Sequence, residues 1–235
     1  MALPKLNDIS YELELPSNGQ KLNYRPFLVK EQKLLMLAEE TGGMREMETA
    51  FADIVKACTF EEVDPYALPM FDIEYIFLRI RAKSVGSKVK LMVPVPNSEA
   101  TVEHEVDLEE VDVLADENHT NEVDLADDIK LTMAYPTIAN MHLFDDENDN
   151  NNIFELIKAC IYEIKHGDDV HPRIDIKESE LDDFIDSMST EQMEAIGKFF
   201  ETMPKLSHTV TITHGRGKSK KEHDVELAGL QTFFG

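Results

Sequence analysis

The sequence predicts an α+β fold, amphipathic helices packed with β-hairpins, and three observations carry that prediction. Apolar residues recur at helical spacing in several separate segments. Between them lie short segments in which apolar and polar residues alternate, joined in pairs by turn-forming residues. The order helix, helix, hairpin occurs twice, which points to an internal duplication. At 235 residues, 42% of them hydrophobic, the chain is long enough to bury a core.

Tyr11, Leu13 and Leu15 alternate with polar residues, Ser17 to Gln20 supply a turn, and Leu22 and Tyr24 alternate again before Pro26. Leu34, Leu35, Leu37 and Ala38 mark a helix over 30–41, stopped by Gly42 and Gly43. A helix over 44–58 places Met44, Met47, Phe51, Ile54, Val55 and Cys58 on one stripe. After a proline-bearing loop, a helix over 72–84 carries Ile73, Ile76, Phe77 and Ile80. Val89, Leu91, Val93 and Val95 then alternate, Pro96 to Ser98 turn the chain, and Val102, His104, Val106 and Leu108 return. Ile129, Leu131, Met133 and Tyr135 indicate a further strand.

The spacing of Ile153, Leu156, Ile157, Cys160, Ile161 and Ile164 predicts a single helix over 152–165. A shorter helix holds Leu181, Phe184, Ile185 and Met188. Ser189 followed by Gln192 fits a capping box for the next helix, whose stripe is Met193, Ile196, Phe199, Phe200 and Met203. The last hairpin has Val210 and Ile212, a turn at Gly215 to Gly217, and His223, Val225 and Leu227.

Two short matches support the duplication. Ile54 to Cys58 recurs as Leu156 to Cys160, and Glu103 to Leu108 recurs as Glu222 to Leu227, in the same order. The domain reading is therefore 1–43, an N-terminal hairpin and first helix; 44–113, the first helix–helix–hairpin unit; 114–146, an acidic connector with one strand; and 147–235, the second unit with a terminal Phe-Phe tail.

Composition narrows the function. Lys and Arg total 23 against 47 Asp and Glu, a net charge of −24. Such a chain is repelled by nucleic acid and anionic membranes, and it suits basic partners. Its first residues lack the features of a signal peptide, and no apolar run is long enough to span a bilayer, so a soluble intracellular protein is expected. Cys58 and Cys160 fall on the apolar stripes of their helices and read as buried free thiols.

Tests for chemistry leave no catalytic, cofactor-binding or metal-binding residues. Asp145 to Leu156 resembles an EF-hand loop, but Asn150 stands where glycine is needed and Leu156 where the bidentate Glu belongs. His208, His214 and His223 could approach one another around the last hairpin, yet they lack a metal-site spacing, and strand packing accounts for His104 and His223. Gly215 to Ser219 lies between strands rather than ahead of a helix, so it is no phosphate loop.

Charge distribution says more. Residues 99–128 contain 13 acids and no Lys or Arg, while Arg216, Lys218, Lys220 and Lys221 form a basic tip on the last hairpin. Both are either solvated loop surface or the poles of a docking protein. Arg79, Arg81 and Lys83 make a basic patch beside the apolar stripe of their helix, either an internal partner for the acids or a docking face. The terminal Phe233 and Phe234 either pack back or insert into a neighbour.

Four stretches taken together, Ala2 to Leu6 with the following hairpin, Tyr24 to Glu31, Phe71 to Gly86, and Gly229 to Gly235, resemble the baseplate hub subunit and tail-assembly proteins of T-even-type contractile-tailed phages. The resemblance runs over most of the chain and is weakest across 99–128 and 166–187. It implies a phage structural or assembly protein with no cofactor, which binds other tail baseplate and hub proteins and is found in the virion baseplate or in the host cytoplasm during assembly. Partner-binding residues would come from Arg79, Arg81, Lys83, Arg216, Lys218, Phe233 and Phe234. The competing class is an acidic inhibitor or DNA mimic that binds a host nucleic-acid-binding protein, motivated by the 99–128 stretch. A metal enzyme built on the histidines is the third.

Overall fold

In the computed structural model, which describes residues 9–41, 43–144, 150–215 and 220–233, the first alternating segment forms a hairpin, β1 (Tyr11–Glu14) and β2 (Lys21–Tyr24). Leu15 N–H donates to the Gln20 carbonyl and Gly19 N–H to the Leu15 carbonyl. Gly19 adopts φ 70, a conformation that glycine reaches without steric cost. Leu13, Leu15, Leu22 and Tyr24 are buried beneath it.

Three helices follow: α1 (Val29–Thr41), α2 (Met44–Cys58) and α3 (Met70–Val85). Phe77 is fully buried, with the rings of Phe27 and Phe51 at 5.4 and 4.6 Å. Asp72, also fully buried, ties the first hairpin to α3: its carboxylate accepts both the N–H and the hydroxyl of Ser17. The next hairpin, β3 (Lys88–Pro94) and β4 (Thr101–Asp107), turns at Asn97, where φ is 59. Its inner face buries Leu91, Val93 and Val106.

The acidic stretch is more structured than its composition suggests. It contributes β5 (Asp112–Leu114) and β6 (Glu122–Ala126), and β7 (Ile129–Met133) follows. α4 (Asn150–Cys160) then ends where β8 (Ile161–His166) begins, and β9 (Asp169–Pro172), α5 (Glu178–Asp186) and α6 (Thr190–Thr202) complete the segment. The single helix expected over 152–165 is thus corrected to a helix and a strand. β8 pairs with β7 through Leu131–Ile164 and Met133–Ile161, which leaves Tyr162 as the extra residue of a bulge. The bulge lets Ile161 and Ile164, three apart, face the same core.

The last hairpin is β10 (Lys205–His214) and β11 (Lys221–Ala228), and β10 pairs on its other side with β5 through Lys205–Leu114. Gly229 and a short 3-10 turn, Leu230–Phe233, close the described chain. Helices and small antiparallel sheets together make an α+β fold.

The chain forms two compact units. Unit 1 is Met1–Leu114 with Lys205–Gly235, and unit 2 is Ala115–Pro204. The segment 147–235 is therefore shared between them, α4 and α6 lying in unit 2 and the β10–β11 hairpin in unit 1. In unit 2 the sheet β6-β7-β8-β9 packs Val123, Leu131, Met133, Ile161 and Ile164 against Ile157, Leu181, Ile185, Ile196 and Phe199 of the helices.

One construction recurs in both units. Cys58 and Cys160 are each the last residue of a helix and are buried. Each offers its carbonyl to the residue just after a strand: Arg25 N–H donates to Cys58 at 2.9 Å, and Ala134 N–H donates to Cys160 at 2.7 Å.

Candidate docking surface

The basic side chains of α3 have three different fates. Arg79 donates to the Leu108 carbonyl at 2.9 Å and to the Val111 carbonyl at 2.7 Å, and its guanidinium lies 4.5 Å from the Tyr75 ring centroid. Lys83 pairs with Glu109 and sits over the Tyr11 ring. Both side chains thus hold the acidic 107–111 segment against the helix. Arg81 instead lines an apolar groove of about 230 Å³ with Phe27, Leu28, Val29, Leu35 and Val85. Burial there pulls its pKa below the ordinary arginine value. Val29 and Val85 stand 66% and 68% exposed on the rim, which makes this the one basic residue of the three set among uncovered apolar surface. Leu28 and Val29 lie within the family-like 24–31 stretch, but no periodicity marked them as exposed.

Of the terminal aromatic pair, Phe233 packs back and is fully buried, held in a turn whose Leu230 N–H donates to Glu74 at 3.4 Å. Burial pushes the Glu74 carboxyl up to about 7, with the Leu230 N–H opposing it. Arg216, Lys218 and Phe234 lie outside the described residues, as do Asp145 to Asp149 of the loop compared with an EF-hand.

The 99–128 acids are not one surface. Glu103 pairs with Lys90, Glu105 with Lys88 and Glu109 with Lys83 in unit 1, whereas Glu122 pairs with Lys165 and Asp124 with Lys130 in unit 2. Lysines outside the stretch thus supply the countercharge that the stretch itself lacks.

The histidines do not converge. His208 pairs with Leu227 and His223 with Ile212, four residues further along β10, a separation of about 13 Å at strand rise. His119, unmarked by any sequence pattern, is the best-connected histidine. Its Nδ1 is 2.9 Å from Thr202 Oγ1 and its Nε2 3.0 Å from the Tyr135 hydroxyl, and its ring lies beside Phe199. Burial lowers its pKa, so the neutral ring is favoured there. Burial also pushes the thiols of Cys58 and Cys160 up, to about 11 and about 12, which favours the neutral thiol at both positions.

Among the described residues no group of three or more His, Cys, Asp or Glu could hold a metal ion, and no helix is long and apolar enough to cross a membrane. Among the described residues the prominent features are surfaces: a rimmed apolar groove, a strongly charged unit and an open sheet edge. The family model described as T4 bacteriophage base plate protein matches residues 7–235, and the chain belongs to that family. It is a baseplate protein of the T4 type. No curated protein and no solved structure matches it.

Proposed function

We propose that the chain is a hub component or assembly factor of the contractile-tail baseplate, and that it works by binding other baseplate proteins rather than by turnover. The observation that carries this reading is the family match over 7–235, which spans both compact units. The exposed apolar rim around Arg81 and the acidity of unit 2 fit a protein that docks. Residency in the particle and transient assistance during assembly are the two forms of this role.

Co-expression with the other baseplate proteins of the same phage, followed by purification on a tag carried by this chain, tests binding. A defined complex with one or more of them is expected, and recovery of the chain alone would overturn the reading. Mass spectrometry of purified particles then separates the forms: stoichiometric presence means a component, and absence means an assembly factor.

A further inference from the structure

Several free sheet edges among the described residues are blunted. β9 is four residues long and ends in Pro172, which has no N–H to offer. The β6 edge bulges, and its Leu125 carbonyl accepts from Gln192. On β2, Asn23 N–H is taken by the Glu62 carboxylate. β3 ends in Pro94, and β4 packs against β10. β11 differs. It runs for eight residues without proline, glycine or bulge, and it is the last strand of the sheet β11-β10-β5.

The ladder shows which main-chain groups of β11 are open. Gly229 N–H donates to the Leu206 carbonyl, and the register pairs Ser207 with Ala228. Antiparallel pairs alternate between bonded and non-bonded. Leu227, Val225 and His223 therefore bond to β10, while Glu226, Asp224 and Glu222 turn their N–H and C=O groups away from it; Ala228 also faces outward, but its carbonyl accepts from the Thr232 hydroxyl at 2.6 Å. Glu226, Asp224 and Glu222 are exposed, and among the described residues no strand lies on their outward side.

The side chains describe the missing strand. Glu222, Asp224 and Glu226 line one face of the edge, and His223, Val225 and Leu227 line the half-buried to buried face. Glu226 pairs with Lys205 and Asp224 accepts from the Thr211 hydroxyl, whereas Glu222 has no ion pair among the described residues. A second copy of β11 added antiparallel about Asp224 would set Glu222 opposite Glu226, and like charges placed so repel.

We propose that the free edge of β11 is a strand-addition site for a partner protein's extended segment in which apolar residues alternate with Lys or Arg. The apolar residues extend the Val225–Leu227 face, and the basic ones sit beside Glu222, Asp224 and Glu226. The proposal rests on the reading that the chain binds proteins, and its test needs no baseplate partner, so the two fail separately.

The test titrates the full chain with a peptide of about eight residues alternating Val and Lys, with a Val–Glu peptide as control, and reads amide hydrogen exchange residue by residue. With peptide at ten times its Kd, exchange at Glu222, Asp224 and Glu226 is expected to slow about tenfold, and the Val–Glu peptide is expected to have no effect. Asp224→Pro removes an outward N–H and leaves the β10 ladder intact, so it should abolish the response while the Val225 amide stays protected. The double variant Glu222→Lys with Glu226→Lys should reverse the peptide preference, and it tests the site even if the proline variant unfolds. Protection elsewhere, an equal response to both peptides, or protection that rises with protein concentration and no peptide would overturn the proposal. The last of these would assign the edge to a second copy.

Discussion

Unit 1 carries 24 acidic and 17 basic residues, a net charge of −7, whereas unit 2 carries 23 and 6, a net of −17. Their interiors are reversed. The charged side chains buried among the described residues, Arg25, Glu31 and Asp72, all belong to unit 1. The core of unit 2 is an apolar cluster around Leu131, Ile157, Leu181 and Ile196. Unit 1 thus holds itself together partly with specific internal ion pairs, while unit 2 puts its charge on the surface and relies on packing.

The two cysteine-ended helices show this difference at close range. At Cys58 the Arg25 guanidinium bonds to Glu31 at 2.8 Å and reaches the sulfur at 3.7 Å. At Cys160 the same backbone bond is made among Leu131, Ile157, Ile161 and Phe199 with no charge in that cluster. One local geometry therefore rests on a buried salt bridge in unit 1 and on apolar contact in unit 2.

The largest test removes the salt bridge. Glu31→Gln takes the carboxylate from a buried guanidinium, which costs about 3–5 kcal/mol. Hydrogen exchange should accelerate in peptides of unit 1 and stay unchanged in unit 2; equal loss in both would break the contrast. The pH dependence has a definite sign. Burial alone would raise the Glu31 carboxyl, but Arg25, the Leu28 N–H and Lys30 hold it below the ordinary value. Its stabilising contribution is present above the unfolded value of about 4.3 and is lost as pH falls through the lower folded value.

Glu74 acts in the opposite sense. With a carboxyl raised to about 7, the folded chain holds a proton that the unfolded chain has released. Unit 1 therefore loses stability as pH rises from about 4.5 to 7 and levels off above. Glu74→Gln keeps an acceptor for Leu230 N–H and should stabilise unit 1 by about 1–2 kcal/mol at pH 8, with no gain at pH 4. Denaturant melts of both proteins at the two pH values check it.

A smaller effect separates the cysteines. Cys160→Ser places a hydroxyl in an apolar cluster and should cost about 2 kcal/mol. Cys58→Ser should cost less, because Arg25 is positioned to donate to the new oxygen. The ordering in urea unfolding is the measurement, and the reverse order would contradict the assigned environments. The mildest test is salt. The screening length falls from about 30 Å at 0.01 M to about 8 Å at 0.15 M. Exchange in unit 2, with its net −17, should slow more than in unit 1.

Much of this was legible in the sequence. The stripe ending at Cys58, the first two hairpins and the Ser189 capping box, with its Ser189–Gln192 bonds in both directions, form as the residue pattern predicts. These features are local: helix faces, turns and caps are set within a few residues. The spacing of Ile161 and Ile164 misled because three-residue spacing suits a helix, and the bulge at Tyr162 that makes it suit a strand depends on the register with β7. The basic patch of α3 was legible only in part, as either an internal partner for the acids or a docking face. Arg79 and Lys83 stood out as a patch, but their distant partners at Leu108, Val111 and Glu109 did not.

By itself the sequence determined the α+β class, most of the elements and the burial of both cysteines, because short-range periodicity carries those directly, while the family resemblance came from the particular residues of four stretches. Only the tertiary structure decided that Lys205 pairs with Leu114, so that the last hairpin belongs with the first hundred residues although the whole of unit 2 intervenes in the sequence. It also decided which acids meet a lysine and which strand edge stays open. Strand pairing joins residues far apart in the chain, and the pattern within each strand fixes which face is buried but not which neighbour it takes.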